Sequence, residues 1–475
     1  MQRENKAQHN QMGTAPVWKL LLTTGIPLIC SLVVQACYNI VDSYFVSHMR
    51  DTAAITGMGD YAMNALALAY PVQILIIAMG VGTGVGVNTL LARSLGQGDR
   101  EKAGKVAGNG LFLGLCISIL FLLFGLFGTD VYLKTQTGDP IILEMGRTYL
   151  SICVNLSFSA IFFTIYEKFL QATGHAVVST ISQICGAVTN MVLDPILIFG
   201  YFGAPEMGIA GAAYATVIGQ MVSMVLCMIF HYTLNREVPT AVRYLKPGGT
   251  VIRQIYAVGL PAIVMQAVGS FLTYGVNIIF APVSVNAVTA YGVYYKIQQF
   301  AFFAAFGMNN AMIPLISFNY GKGDRRRVEE GIRWGMVYTL IVMGICLVVL
   351  ELFAPQIAGI FALSQETLRL CVLAMRIVGA GYLFAGANIA FQGVFQALGQ
   401  GLPSLVLCLV RQLIAALPLA WLFTCLPNPE LWIWLAFPLA EGIGLVVALF
   451  QNRQVRKNIL SAMPGDVAPG DGLPG

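Results

Sequence analysis

Charge is scarce in this sequence: of 475 residues only 10% are Asp, Glu, Lys or Arg, 57% are apolar, and the mean hydropathy is +0.74. A soluble domain carries roughly 25% charged residues to solvate its surface. Soluble catalysis and nucleic-acid binding are therefore poor readings, despite a formal net charge of +5. Histidine is nearly missing. The four present (His9, His48, His175, His231) fall in tails, loops or helix ends, which leaves no histidine-based catalytic or zinc set. A Walker-type Gly-Lys-Ser/Thr is absent and no strand precedes the Gly-x-Gly-Asp stretches, so these are not phosphate cradles and nothing argues for ATP as the driver. The ten cysteines lie in or beside apolar runs with no C-x-x-C pair, and they read as small packing residues, neither disulfides nor ligands. The first apolar run is too long for a signal-peptide core and lacks a small-residue cleavage site, so it is expected to stay as an uncleaved helix.

What the chain has is long charge-free runs. A hydrocarbon core of about 30 Å takes about 20 mostly apolar residues as helix. Such runs recur at Leu20–Val41, Tyr61–Ala92, Val106–Thr129, Thr148–Tyr166, Ala176–Leu193 and Met207–Asn235. A second series covers Gln254–Tyr295, Ile297–Gly321, Trp334–Leu350, Ile377–Val410 and both sides of Glu441. The runs are continuous, without the alternation a lipid-facing barrel requires. Twelve transmembrane helices are predicted. With the N-terminus inside, twenty lysines and arginines fall in cytoplasmic segments and five outside, while Lys296 and Arg411 fall within spans. Positive residues in short loops stay cytoplasmic, so both termini are expected there, and the basic excess reports orientation.

The runs come in two copies. Gly25-Ile26-Pro27 recurs as Gly259-Leu260-Pro261, an offset of 234. Tyr70-x-x-Gln73 recurs as Tyr295-x-x-Gln298, Gly96-Gln97-Gly98-Asp99 as Gly321-Lys322-Gly323-Asp324, and Gln171-Ala172 as Gln396-Ala397, all at an offset of 225. Six helices per copy means both enter from the same side, related by an axis along the membrane normal. The expected fold is an all-α integral membrane protein of two six-helix bundles related by a pseudo-two-fold. The divisions are a tail over 1–16, bundles over 17–240 and 256–457, a linker over 241–255, and a disordered tail over 458–475.

These residues carry a family resemblance. Gly25-Ile26-Pro27, Asp42, the stretch from Arg93 through Gly-x-Gly-Asp, Leu170-Gln171-Ala172-x-Gly174, Asn190-x-x-x-Asp194-Pro195 and Gly211-Ala212-Ala213-x-Ala215-Thr216 follow one another as in the multidrug and toxic compound extrusion (MATE) transporters. The chain resembles that family over about residues 15–455. The resemblance implies a non-enzymatic bacterial inner-membrane antiporter, a monomer without cofactor or nucleic-acid partner. It would export amphipathic, often cationic compounds by alternating access in exchange for inward protons or sodium ions. In the family, carboxylates matching Asp42 and Asp194 form an ion-coupling site, with Tyr38, Asn190 and Thr216 at matching positions, and the first helix bends near Pro27 in a gating step.

The residues themselves support attention to this region. An intramembrane carboxylate is costly and is a functional candidate by default. Tyr38 and Asp42 are four apart, as are Asn190 and Asp194, so each pair shares a helix face. Thr216 falls in the same outer half, and Asn155 is a further candidate for the cluster. Such oxygens suit either a proton or a sodium ion at Asp42 and Asp194. Pro27 also fits the plain role of a first-turn proline.

In the second bundle, helix 7 (Tyr256–Phe280) and helix 10 (Leu368–Leu398) hold no carboxylate, which points to the branch of the family whose coupling site lies in the first bundle. Glu441 and Lys296 sit at equal depth with opposite sign and suggest a buried ion pair, for which Arg411 competes. Gln73, Gln298, Gln299, Asn309 and Asn310 are polar positions that line a cavity or hold helices together. A rival reading, a lipid-linked saccharide flippase of the related superfamily, calls for a broad cationic groove, for which only Lys296 and Arg411 are candidates.

Overall fold

The computed structural model describes residues 10–51, 56–361 and 363–463, and no strand occurs among them. Twelve spans follow in order. They are α1 (Val17–Ser47), α2 (Met58–Gly96), α3 (Arg100–Phe127), α4 as the broken pair Pro140–Asn155 and Phe158–Ala172, α5 (Ala176–Phe199) and α6 (Ile209–Leu234). The second set is α7 (Gly249–Phe280), α8 (Val285–Lys322), α9 (Arg325–Gly359), α10 as the broken pair Gln365–Gly379 and Tyr382–Ala397, α11 (Gly401–Thr424) and α12 (Pro429–Leu460). Helices are the form in which a span satisfies every backbone group without water. Arg3, Lys6, His9 and residues 464–475 of the tail expected to be disordered lie outside the described residues. The tail begins later than expected, because Asn458 to Leu460 still belong to α12.

The repeat extends to the breaks in the helices. Adding 225 to the bounds of the α4 pair gives those of the α10 pair to within a residue, and the bends are 41° and 55°. Adding the same number to Ala176–Phe199 gives Gly401–Thr424. Helix ends overrun the charge-free runs, since helix outside the bilayer needs no apolar sequence. Consequently Pro27 is not a first-turn residue: it lies ten residues inside α1, as Pro261 lies twelve inside α7. Each removes one i to i−4 hydrogen bond, from the Thr23 and Ala257 carbonyls.

Close packing divides the chain into two units. One comprises residues 1–29, 92–99 and 260–475, the other 30–91 and 100–259. Three of the four divisions fall inside α1, α2 and α7 and the fourth just before α3, and in α1 and α7 they come within two residues of the Gly-x-Pro motif. In the first unit the start of α1 packs on α8, with Gly25 against Met308 and Ile29 against Gly307. In the second, the start of α7 packs on α2, with Gly259 against Gly82 and Ile255 against Gly86. Each repeat thus lends the first part of its first helix to the unit that holds most of the other repeat.

The Gly-x-Gly-Asp motifs have a structural basis. A Cβ on Gly96 would collide with the Phe318 carbonyl, and one on Gly321 with the Arg93 carbonyl, so the ends of α2 and α8 cross with backbones touching. The second glycines, Gly98 and Gly323, turn the chain at φ +73° and +80°, a left-handed conformation that glycine adopts without strain. Five of the ten cysteines are exposed, Cys30, Cys37, Cys116 and Cys185 on helix surfaces and Cys425 in the turn after α11, a departure from the packing role expected of them.

Candidate functional site

Asp42, Asp194 and Thr216 stand at matched heights. Asp42 is five residues from the end of α1, Asp194 five from the end of α5, and Thr216 seven from the start of α6. At 1.5 Å per residue these are depths of about 8, 8 and 10 Å. All three helix segments belong to the second unit. Helix α5 runs on through Pro195, so Asp194 projects from a helix interior and caps nothing. Helices α5 and α6 approach closely at Gly186 and Gly219, and that brings Asn190 beside Thr216.

Asp194 is fully buried, Asn190 is 2% exposed and Asp42 9%. The Asn190 amide donates from Nδ2 to Asp194 Oδ1 and to Thr216 Oγ1, both long contacts of 3.4 Å. Asp42 and Asp194 are within electrostatic reach of each other, and the half-buried Tyr38 is within reach of both. Three buried oxygens, Asp42 Oδ1, Asp194 Oδ2 and Asn190 Oδ1, have no hydrogen-bond partner. Buried acceptors are almost always satisfied, and three unmet oxygens in one cluster are a place where a proton or a hard cation fits. No group of three or more His, Cys, Asp or Glu residues suited to a metal occurs among the described residues. The donor set therefore fits a proton, or a sodium ion held by carboxylate, amide and hydroxyl oxygens.

Asn155 is not hydrogen-bonded into this set, although its own amide oxygen is also buried and without a partner. It ends the first half of α4 at the bend, its amide oxygen faces Gly125 of α3, and no hydrogen bond ties it to either carboxylate among the described residues. Amides tie the surrounding helices together: the pair Gln183 and Gln35 was missed by sequence reasoning, whereas Gln73 was among the expected polar positions. Gln183 of α5 donates to Gln35 of α1 at 2.7 Å, and Gln73 of α2 donates to the Tyr149 hydroxyl at 3.1 Å. Lys168, counted with a loop in the sequence, is 3% exposed in α4; its ammonium donates to Gln171 Oε1 at 2.9 Å, and Gln171 donates in turn to Glu167 at 2.9 Å.

The first unit holds the other candidates. The expected pair of Lys296 with Glu441 is not formed: Lys296 is exposed on α8, and Glu441 binds Arg411 at 3.0 Å. Equal depth gave no information about which faces meet, and α12 packs on α10 and α11. Gln298 and Gln299 are half-buried on α8, as is Asn310, while Asn309 is buried against Gly393 of α10.

A family model, MatE, matches this chain twice, over residues 27–196 and 261–422, each match beginning at the proline of a Gly-x-Pro motif. The chain belongs to the MATE family. It is a multi-pass membrane transporter, not an enzyme, and takes small-molecule substrates within a bilayer. Among its relatives are the multidrug export protein MepA of Staphylococcus aureus, 23% identical over 92% of this chain and 93% of that protein. MepA of Staphylococcus saprophyticus is 23% identical over 84% and 85%. The fold matches a crystal structure of a MATE in complex with MaL6, with a TM-score of 0.85 at 23% identity over 94% of this chain and 99% of that one. It also matches a MOP superfamily transporter from Pyrococcus furiosus described by the reverse polarity of its binding pocket, with a TM-score of 0.86 at 23% identity over 96% and 98%.

Proposed function

We propose that this MATE protein is a secondary antiporter that exports amphipathic, often cationic compounds in exchange for protons entering the cell. The observation that carries the reading is the set of unpartnered buried oxygens on Asp42, Asp194 and Asn190. Two ionised carboxylates in a low-dielectric site repel, so a proton taken up from outside relieves both the repulsion and the unmet acceptors. Its loss to the inside restores them. Asp42 and Asp194 carry the proton, Asn190 holds Asp194, Thr216 accepts from the Asn190 amide, and Tyr38 borders the site. Coupling to transport runs through α1, whose segment around Pro27 is short of one backbone hydrogen bond and is the proposed point of bending. The repeats over 17–240 and 256–457, joined by 241–255, are the proposed moving bundles of an alternating-access cycle. The names of the MepA relatives as multidrug exporters support the substrate class. The distribution of lysine and arginine supports both termini being cytoplasmic, the bacterial MepA relatives support a bacterial inner membrane, and the protein is proposed to act as a monomer. Against the flippase reading, Arg411 is neutralised by Glu441, which leaves Lys296 as the one remaining candidate of the two cations, too few for the broad cationic groove that reading requires.

The test is transport in proteoliposomes loaded with a fluorescent cation, with pH and sodium gradients imposed separately. Wild type is expected to respond to the pH gradient, and Asp42→Asn to lose gradient-driven movement while still folding to the same thermal midpoint. An Asp42→Asn protein that moves the cation at the normal rate and follows pH steps overturns the proposal. A response to sodium alone overturns the choice of ion.

A further inference from the structure

The second unit carries an apolar cleft of about 220 Å³ at its basic end, lined by Leu111, Phe112 and Leu115 of α3, Phe162 and Tyr166 of α4, and Leu245. Leu245 ends a short 3-10 turn, Val242–Leu245, in the connection between α6 and α7. The turn is tied down. The Tyr244 ring lies 3.0 Å from where a Cβ on Gly104 would stand, its carbonyl occupies the place of a Cβ on Gly108, and Asn109 accepts from the Gly248 N–H at 2.8 Å. Yet this fixed turn shows apolar side chains, with Val242 83% exposed and Leu245 40%.

Basic groups surround it. Arg243 lies over the Tyr244 ring at 4.8 Å and donates to its hydroxyl at 2.7 Å, while Lys246 is exposed and forms no ion pair among the described residues. Lys105 is paired with Glu101 at 2.7 Å, the one acid of the group, so three cations face one anion. The cleft also opens toward lipid. Leu115, Ile119, Leu122 and Leu126 follow one another at spacings of four, three and four, a single stripe of α3, and all are exposed. Leu115 lies about 10 Å deeper than Gly108 along the helix.

We propose that the cleft binds one acyl chain of an anionic phospholipid whose phosphate is held by Arg243 and Lys246. Charge complementarity selects this occupant: anionic headgroups collect at basic clusters flanking membrane spans, and a guanidinium offers a phosphate two donors at once. The apolar side chains of a fixed turn between headgroup and hydrocarbon are then covered by the lipid itself.

Native mass spectrometry of the full chain in detergent tests this, with phosphatidylglycerol or phosphatidylcholine of identical chains added. Wild type is expected to retain phosphatidylglycerol in preference to phosphatidylcholine. An Arg243→Ala/Lys246→Ala variant is expected to bind it about thirty-fold more weakly, from roughly fivefold per basic residue. Leu115→Trp, which fills the cleft and leaves the charges, is expected to lose it as well, with thermal midpoints confirming that both variants fold. Equal retention of the two lipids, unchanged binding in either variant, or displacement by a small amphipathic cation overturns the proposal, the last by assigning the cleft to transported substrate.

Discussion

Arg411 donates from Nη1 to Glu441 Oε2 across 3.0 Å, joining α11 to α12 in the middle of the spans. Asn388 of α10 completes the arrangement, giving its amide to the same oxygen at 2.8 Å and to the Glu441 backbone carbonyl at 2.9 Å. The Arg411 side chain is 1% exposed and that of Glu441 16%. Arginine emerges from a wide turn of π geometry, Val410–Ala415, a local loosening of the kind often found where a helix positions a special side chain.

Removing one partner of this pair is expected to do more harm than removing both. Arg411→Met leaves a buried carboxylate and should lower stability by about 3–5 kcal/mol, while Arg411→Met/Glu441→Leu recovers most of the loss. Thermal midpoints of the purified proteins in detergent measure both. If the double variant is no better than the single, the cost lies in packing and not in the unpaired charge.

The crossing of α2 and α8 predicts a matched pair of defects. Gly96→Ala and Gly321→Ala each push a methyl group into the carbonyl of the facing helix, and each should cost about 1–3 kcal/mol or more. Because the two contacts are reciprocal, the losses should be similar and less than additive in the double variant, where one displacement of the helices serves both. Midpoints of thermal unfolding decide it.

Gln171 is expected to behave as a charge mediator. Gln171→Leu deprives the buried Lys168 ammonium of a partner at 2.9 Å and Glu167 of its donor, at a cost of about 1–3 kcal/mol. Lys168 keeps its 3.7 Å ion pair with Glu167 in that variant, so Gln171→Leu/Lys168→Met should be the less stable of the two, again by thermal midpoint, because the largely buried Glu167 carboxylate then loses both partners.

Orientation has a direct check. Gly138 borders open space and Gln97 is exposed, so cysteine fits at both positions. With the five exposed natural cysteines replaced by serine, a membrane-impermeant maleimide should label Gly138→Cys in intact cells and Gln97→Cys only after lysis. The reverse pattern inverts the proposed topology.

The sequence made some of this architecture readable and concealed the rest for physical reasons. Span count followed from charge-free length, and the repeat from short motifs whose offset reappears in the helix breaks. The four-residue spacing of Asn190 and Asp194 was enough to put both on one face of α5. Helix ends were misread because charges mark where the bilayer stops, whereas a helix stops where its caps and turns do. The partner of Glu441 was misread as Lys296 because depth along a helix carries no azimuth. Lys168 went unnoticed as a buried group because its nearest partner, Gln171, is neutral.

The exchanged beginnings of α1 and α7 also bear on biogenesis. A ribosome that has delivered only the first repeat has made most of one unit but not the piece from α7 that finishes it, and it has made residues 17–29 with nothing to dock on. Neither half is a self-sufficient product. Assembly has to wait until the seventh and eighth spans have entered the membrane, and a chain truncated before that point would present raw glycine surfaces to the cell's quality-control machinery.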